Sequence, residues 1–309
     1  MESWKKNPLV FWILGIPGTV WLALFFIAPL AIIWILSFGE KAMVDGHISV
    51  TEIAITGTLK QYIRSFEPVY LDIIWKSIWI SALGTFLCLV IAYPVAFAVA
   101  FAPNRWKPLL LLLVILPFWI NLLIRTYALI AVFRTNGLVN WVLEWFWSVL
   151  HAVLGVVSLG WLIGDQFQPL TLLYNNAAVV AGLVYVYMPF MVLPLYATIE
   201  RLDKSYLEAS LDLGASQSRT LWSVTLPLTM PGIVTGVILV FIPSLGSFLT
   251  PALLGGANAI MIGNVIEDQF KAANDWPFGA ALSFLLMYAT FGALALRALL
   301  ARNSRGVDV

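Results

Sequence analysis

Charge is scarce in this chain. Of its 309 residues only 11% are Asp, Glu, Lys or Arg and 61% are hydrophobic, whereas ordinary globular domains are roughly a quarter charged. That composition excludes a soluble domain and leaves a polytopic membrane protein. The 17 Lys/Arg and 16 Asp/Glu nearly cancel, to a formal charge of +1, and no basic cluster exists to meet phosphates, so nucleic acid is excluded as a partner. The one cysteine, Cys88, lies inside an apolar run, which excludes an intrachain disulfide and a Cys-based zinc site. Catalytic sets are missing as well. His47 and His151 are isolated, there is no His-Glu-x-x-His and no Gly-x-Ser-x-Gly, and no catalytic or metal-ligating residue is assigned. The Gly-x-x-x-x-Gly-Lys-Ser/Thr loop that cradles ATP phosphates is also absent, so the chain cannot hydrolyse ATP itself.

What the chain has in abundance is long apolar runs. A spanning helix needs about 20 mostly apolar residues. Six runs meet that length, at 9–38, 73–101, 109–133, 176–198, 231–252 and 277–296. Lys5 and Lys6 precede the first run, but it is far longer than a signal h-region, so it reads as a retained first helix. With the N terminus inside, the inner segments hold ten Lys/Arg and the longer outer segments five. The excess of cations predicts both termini in the cytoplasm. Lys76 and Arg125 remain within spans, where long side chains are expected to snorkel or pair. The stretch 141–163 is apolar enough for a seventh crossing, but that would invert the charge rule for everything after it. It reads instead as an apolar outer insertion, with Trp141, Trp145, Trp147 and Trp161 suited to the headgroup level.

Residues 199–230 form the polar island of the chain. Leu207, Leu211 and Leu213, then Leu221 and Val224, interleave with Glu208, Asp212 and Arg219 and predict two short amphipathic helices parted at Gly214. Ser216 or Ser218 can cap the second, and Leu226-Pro227 is expected to end it. A mere connection needs only a few residues. This segment reads as a cytoplasmic docking surface for a soluble partner.

Glu208-Ala209-Ser210, three residues, Gly214, nine residues and Val224-Thr225-Leu226-Pro227 resemble the EAA motif of permease subunits of bacterial ATP-binding-cassette importers. The spacing matches throughout, with Ser210 in place of the third-position alanine and Val224 in place of isoleucine. Other stretches resemble the spermidine/putrescine subfamily: Leu116-Pro117-Phe118-Trp119, Leu123 to Tyr127, Met188 to Tyr196, Leu211-Asp212-Leu213-Gly214-Ala215 and Asp275-Trp276-Pro277. The resemblance covers about 60–296. It implies an all-α permease of the type I importer fold in the bacterial inner membrane, with six core helices. It also implies that Glu208, Ala209, Ser210, Asp212, Gly214, Ala215, Leu226 and Pro227 couple to an ATPase dimer, where ATP and magnesium would bind. A second, different permease subunit and an extracellular or periplasmic binding protein complete such an importer. Related importers of iron, thiamine, opines and phosphonates share the coupling loop, so the substrate stays open between polyamines and these. A secondary transporter would need acids inside spans or inverted repeats, and neither is visible.

Elongated cations call for carboxylates and aromatic faces along the path. The candidates are Trp119, Asn121 and Tyr127 in the third run, Ser244, Ser247 and Phe248 beside Pro243 in the fifth, and Glu267 and Asp268 in the last outer segment. Each has an ordinary structural reading as well: small residues pack helices, and loop acids are solvated.

Overall fold

The computed structural model describes residues 8–44, 47–156 and 166–304. Where lipid surrounds the chain, every backbone N–H and C=O must be satisfied within a segment, which makes long apolar runs helical. Among the described residues, six helical stretches are long and apolar enough to cross a membrane: Gly15–Leu36, Pro68–Ala100, Leu122–His151, Asn176–Glu200, Gln217–Leu245 and Trp276–Ala295.

In chain order the elements begin with α1 (Pro8–Leu22), a π-type turn (Ala23–Ile27) and α2 (Ala28–Leu36). A two-stranded hairpin follows, β1 (Gly39–Val44) and β2 (His47–Ile55), then α3 (Lys60–Arg64), α4 (Pro68–Ala100) and α5 (Lys107–Ile115). After a 3-10 turn come α6 (Leu122–Phe133), α7 (Leu138–Val156) and α8 (Asn176–Glu200). The polar island contains α9 (Ser205–Asp212) and α10 (Gln217–Thr220), and the rest is α11 (Leu226–Leu245), α12 (Leu249–Leu254), α13 (Ile262–Lys271) and α14 (Trp276–Ser304).

Three features depart from the hydropathy reading. The run 109–133 is not one helix: Pro117 lies in the 3-10 turn Leu116–Trp119, Ile120 is extended, and the Asn121 side chain accepts the Leu123 N–H at 2.8 Å to start α6 afresh. A proline cannot donate to the ladder, and a good N-cap nearby makes a restart cheaper than a kink. Leu226-Pro227 does not end the second helix of the polar island, because a π-type turn at Leu221–Thr225 carries it into α11. The Leu226 N–H reaches back five residues to the Leu221 carbonyl; this wider turn absorbs the register change around the proline's missing donor. The same device precedes Pro29, where the Ala28 N–H reaches the Ala23 carbonyl. The antiparallel hairpin pairs Gly39 with Ile55 and Val44 with His47, adding strands to an otherwise helical chain.

Two compact units emerge, one from residues 1–71 and 265–309 and one from 72–264. In the first, Arg64 pairs with Asp275 at 2.9 Å and lies 4.0 Å over the buried Phe278 ring. Burial disfavours the Arg64 charge, but hydrogen bonding to Asp275 and Tyr70 outweighs it and raises the guanidinium pKa. Trp34 donates to the Tyr288 hydroxyl at 2.7 Å, and Ser37 and Tyr62 share a hydrogen bond of 2.8 Å.

The second unit has its core where α4, α8 and α11 meet, with Cys88, Ala92, Val179, Met191, Leu195 and Val240 all buried. Lipid tails are as apolar as leucine, so close packing rather than water exclusion must hold such helices together. Gly232 and Gly236 supply the close approach. A Cβ on Gly236 would lie 2.6 Å from the Met191 sulfur, and one on Gly232 would collide with Thr198. Gly182 similarly makes room on α8 for Thr250 and Leu254 of α12.

Candidate functional site

The polar island folds around one backbone device. Gly214 takes φ +82°, and no heavy atom stands within 4 Å of where its Cβ would be. Its role is therefore conformational. The Gly214 N–H donates to the Leu211 carbonyl at 2.9 Å and the Ala215 N–H to the Ser210 carbonyl at 3.1 Å, the paired bonds of a Schellman helix end. Ser216 then caps α10 by accepting the Arg219 N–H at 3.3 Å. At the start of α9, the backbone N–H and hydroxyl of Ser205 hold the Asp203 carboxyl below its ordinary pKa. Ser210 crosses the turn, its hydroxyl 3.0 Å from that of Thr220. The two short helices are thereby clamped into a rigid bend.

Glu208, Ala209 and Asp212 lie on the exposed part of α9, and Ala215 is half-buried in the turn. Leu213 is 89% exposed and Trp222 is 71% exposed, with Tyr206 also open to solvent. These apolar groups give the bend a hydrophobic outer face that the motif spacing did not disclose. Leu226 and Pro227 sit elsewhere, at the foot of α11, where Thr229 shares a hydrogen bond of 3.1 Å with the Tyr93 hydroxyl on α4. The motif thus joins an exposed bend to a helix anchored in the core.

The pathway candidates are scattered by comparison. Trp119 is 76% exposed and Tyr127 is also exposed, while Asn121 is occupied as the α6 cap. Ser244 is buried and donates to the Phe241 carbonyl, whereas Ser247 and Phe248 lie in the break between α11 and α12. That break is pinned by residues the sequence reading passed over. Asn264 donates to the Phe248 carbonyl at 2.8 Å, Tyr187 donates to the Pro243 carbonyl at 3.1 Å, and Ser77 accepts the Ile262 N–H at 2.7 Å. Gly263 admits the backbone there, since a Cβ on it would lie 2.6 Å from the Ser247 carbonyl. Glu267 and Asp268 belong to the first unit, where Glu267 pairs with Lys271 at 2.7 Å one helical turn away. Arg125, expected to snorkel or pair, makes no ion pair among the described residues: it is buried, and its Nε and Nη1 have no hydrogen-bond partner. α6 restarts just before it, and of the helix's residues only Arg125 and its neighbour Thr126 are buried. Among the described residues no group of three or more His, Cys, Asp or Glu could hold a metal ion.

Residues 89–305 match the family described as binding-protein-dependent transport system inner membrane component. The chain belongs to this family. Its members are permease subunits of ABC importers, transport subunits rather than enzymes, and this one is a multi-pass protein of the bacterial inner membrane. The permease is 41% identical over 266 residues to the spermidine/putrescine transport system permease protein PotB of Escherichia coli K12, covering 86% of this chain and 88% of that one. To the protein of the same name from Haemophilus influenzae it is 39% identical, over 85% and 84% of the two chains. A solved bacterial alginate ABC transporter, in complex with a periplasmic protein bound to alginate pentasaccharide, superposes with a TM-score of 0.72 at 14% identity, covering 98% of each chain. The fold is that of an ABC importer permease.

Proposed function

We propose that this permease is one transmembrane half of an ATP-driven importer of polyamines, with spermidine or putrescine as cargo. The observation that carries the substrate class is identity of about 40% to spermidine/putrescine permeases along nearly the whole chain. The coupling half of the proposal rests on the bend around Gly214 and its exposed Leu213 and Trp222. In this reading the 199–230 segment faces the cytoplasm, together with both termini. A dimer of separate ATPase subunits binds ATP and magnesium and grips Glu208 to Ala215. Closure of that dimer pushes on the bend, α11 transmits the motion, and the helices rock between outward and inward openings. A second permease chain supplies the other half, and a binding protein delivers cargo at the outer face. Trp119, Tyr127, Ser247 and Phe248 border the path, and α7 rests at the outer membrane interface on its tryptophans.

The test is reconstitution of the chain with its ATPases, second permease and binding protein in liposomes. ATP-dependent accumulation of labelled spermidine or putrescine is the expected result. ATP hydrolysis stimulated by another solute but not by polyamines would keep the importer and overturn its cargo.

A further inference from the structure

Two connections next to the coupling bend are fastened to each other. One, residues 101–106, leads from α4 into α5, and the other, residues 201–204, leads from α8 into α9. Lys107, the first residue of α5, donates to both carboxylate oxygens of Glu200, the last residue of α8, at 2.8 and 3.0 Å. Its side chain is only 16% exposed, so the carbon stem is packed while the ammonium is held. Four residues beyond Glu200, the Lys204 ammonium lies 5.3 Å from the Phe101 ring, which stacks at 4.4 Å on Phe97 of α4. The ion pair runs against the dipole of each helix that carries it. A cation is disfavoured at a helix N terminus and an anion at a C terminus, yet Lys107 begins α5 and Glu200 ends α8. Each charge is favoured by the end of the other helix, so the pair stabilises the junction and neither helix alone.

The far end of α5 is free to turn by comparison. It runs into the 3-10 turn at Pro117, and the chain is extended at Ile120 before α6 restarts. Phe118 in that turn meets Phe190 of α8 edge-on at 5.2 Å, and Phe190 follows Pro189, whose missing N–H leaves a gap in the α8 ladder. This contact brings the weak points of the third run and of α8 to one level. α5 packs on α8, whereas α6 packs on α7 and α12 as well. We propose that α5 and residues 190–200 of α8 move as one body, tied to the coupling bend by the Lys107–Glu200 and Lys204–Phe101 contacts and turning at Pro117–Asn121 and Pro189. Lys107 and Glu200 are then positioning residues for transport, which carry a push on the bend to the break in the third run. The proposal rests on the coupling reading given above.

The complete importer in liposomes tests it, read as uptake per ATP hydrolysed. Lys107→Gln and Glu200→Gln are each expected to lower that ratio about fivefold, with melting close to the wild type because a partly exposed pair adds little stability. Lys107→Glu combined with Glu200→Lys should regain part of the ratio. In a Cys88→Ala background, Lys107→Cys with Glu200→Cys should show the same loss, and a bismaleimide bridge across positions 107 and 200 should restore it. An unchanged ratio in both glutamine variants would overturn the proposal, whether or not melting falls, and so would a bridge that stops uptake. The bridge also gives a reading that needs no cargo. Its yield should be equal without nucleotide and after trapping with ATP and vanadate, and a yield lost on trapping would show that α5 leaves α8 and sink the idea. A wild-type importer that takes up no polyamine would instead defeat the cargo reading, and absence of ATPase subunits from it the coupling reading.

Discussion

Glycine serves opposite ends in two regions of this permease. At the coupling bend Gly214 has empty space around it but a left-handed φ of +82°. At the α8–α11 contact, Gly232 and Gly236 are in ordinary helix but have no room for a Cβ. The first glycine is required by conformation and the second pair by volume. A substitution at either site therefore fails for a different reason, and the failures should be separable by experiment.

The largest effect is expected at the packed contact. Gly236→Leu drives four carbons into Met191 and the α8 backbone. Overpacking commonly costs about 1–3 kcal/mol, and here the alternative is separation of two core helices. The variant should fail to accumulate in the membrane or lose most of its thermal stability in detergent. Normal accumulation and melting would show that α8 and α11 have slack.

Gly214→Asp comes next and should look different. A non-glycine residue in the left-handed region costs about 1–2 kcal/mol, and less for Asp or Asn, while the aspartate adds charge to the surface proposed to meet the ATPase. The chain should insert and melt almost as the wild type does, yet fail to copurify with the ATPase and fail to support uptake. Uptake at the wild-type rate by an inserted Gly214→Asp chain would remove the bend from the coupling path. Gly214→Asn sharpens the same point, because asparagine tolerates a positive φ and carries no charge. It should retain a substantial part of the ATPase association that aspartate loses, measured by copurification from the same membranes.

How much of this could be read from residues alone follows the same division between pattern and volume. Long helices such as Asn176–Glu200 were legible because length and apolarity decide them. The bend between α9 and α10 was legible because Gly214 is a conventional helix stop between two amphipathic stretches. The restart at Asn121 was not, since hydropathy stays high across Pro117 to Leu123 and only the cap breaks the helix. The continuation through Pro227 was missed because a proline signals a stop unless a wider turn precedes it. Two signals were present and unused: the Gly232-x-x-x-Gly236 spacing of close helix contacts, and the Asp45-Gly46 pair between β1 and β2. The pathway was least legible. Its residues draw meaning from who faces them, and the pinning of Phe248 by Asn264 joins positions that no local pattern links.

The smallest effect separates the bend's backbone from its side chains. Ser210 occupies the place where the motif usually has alanine, and its hydroxyl is 3.0 Å from that of Thr220. A single hydrogen bond of this kind contributes about 0.5–1.5 kcal/mol. The Schellman bonds through Gly214 and Ala215 are untouched by removing it. Ser210→Ala should therefore lower the melting temperature slightly and leave uptake within about twofold of the wild type. A loss as severe as that of Gly214→Asp would mean that the hydroxyl clamp, rather than the glycine turn, sets the shape of the bend. The comparison between the two kinds of glycine would then have to be redrawn around the Ser210–Thr220 contact.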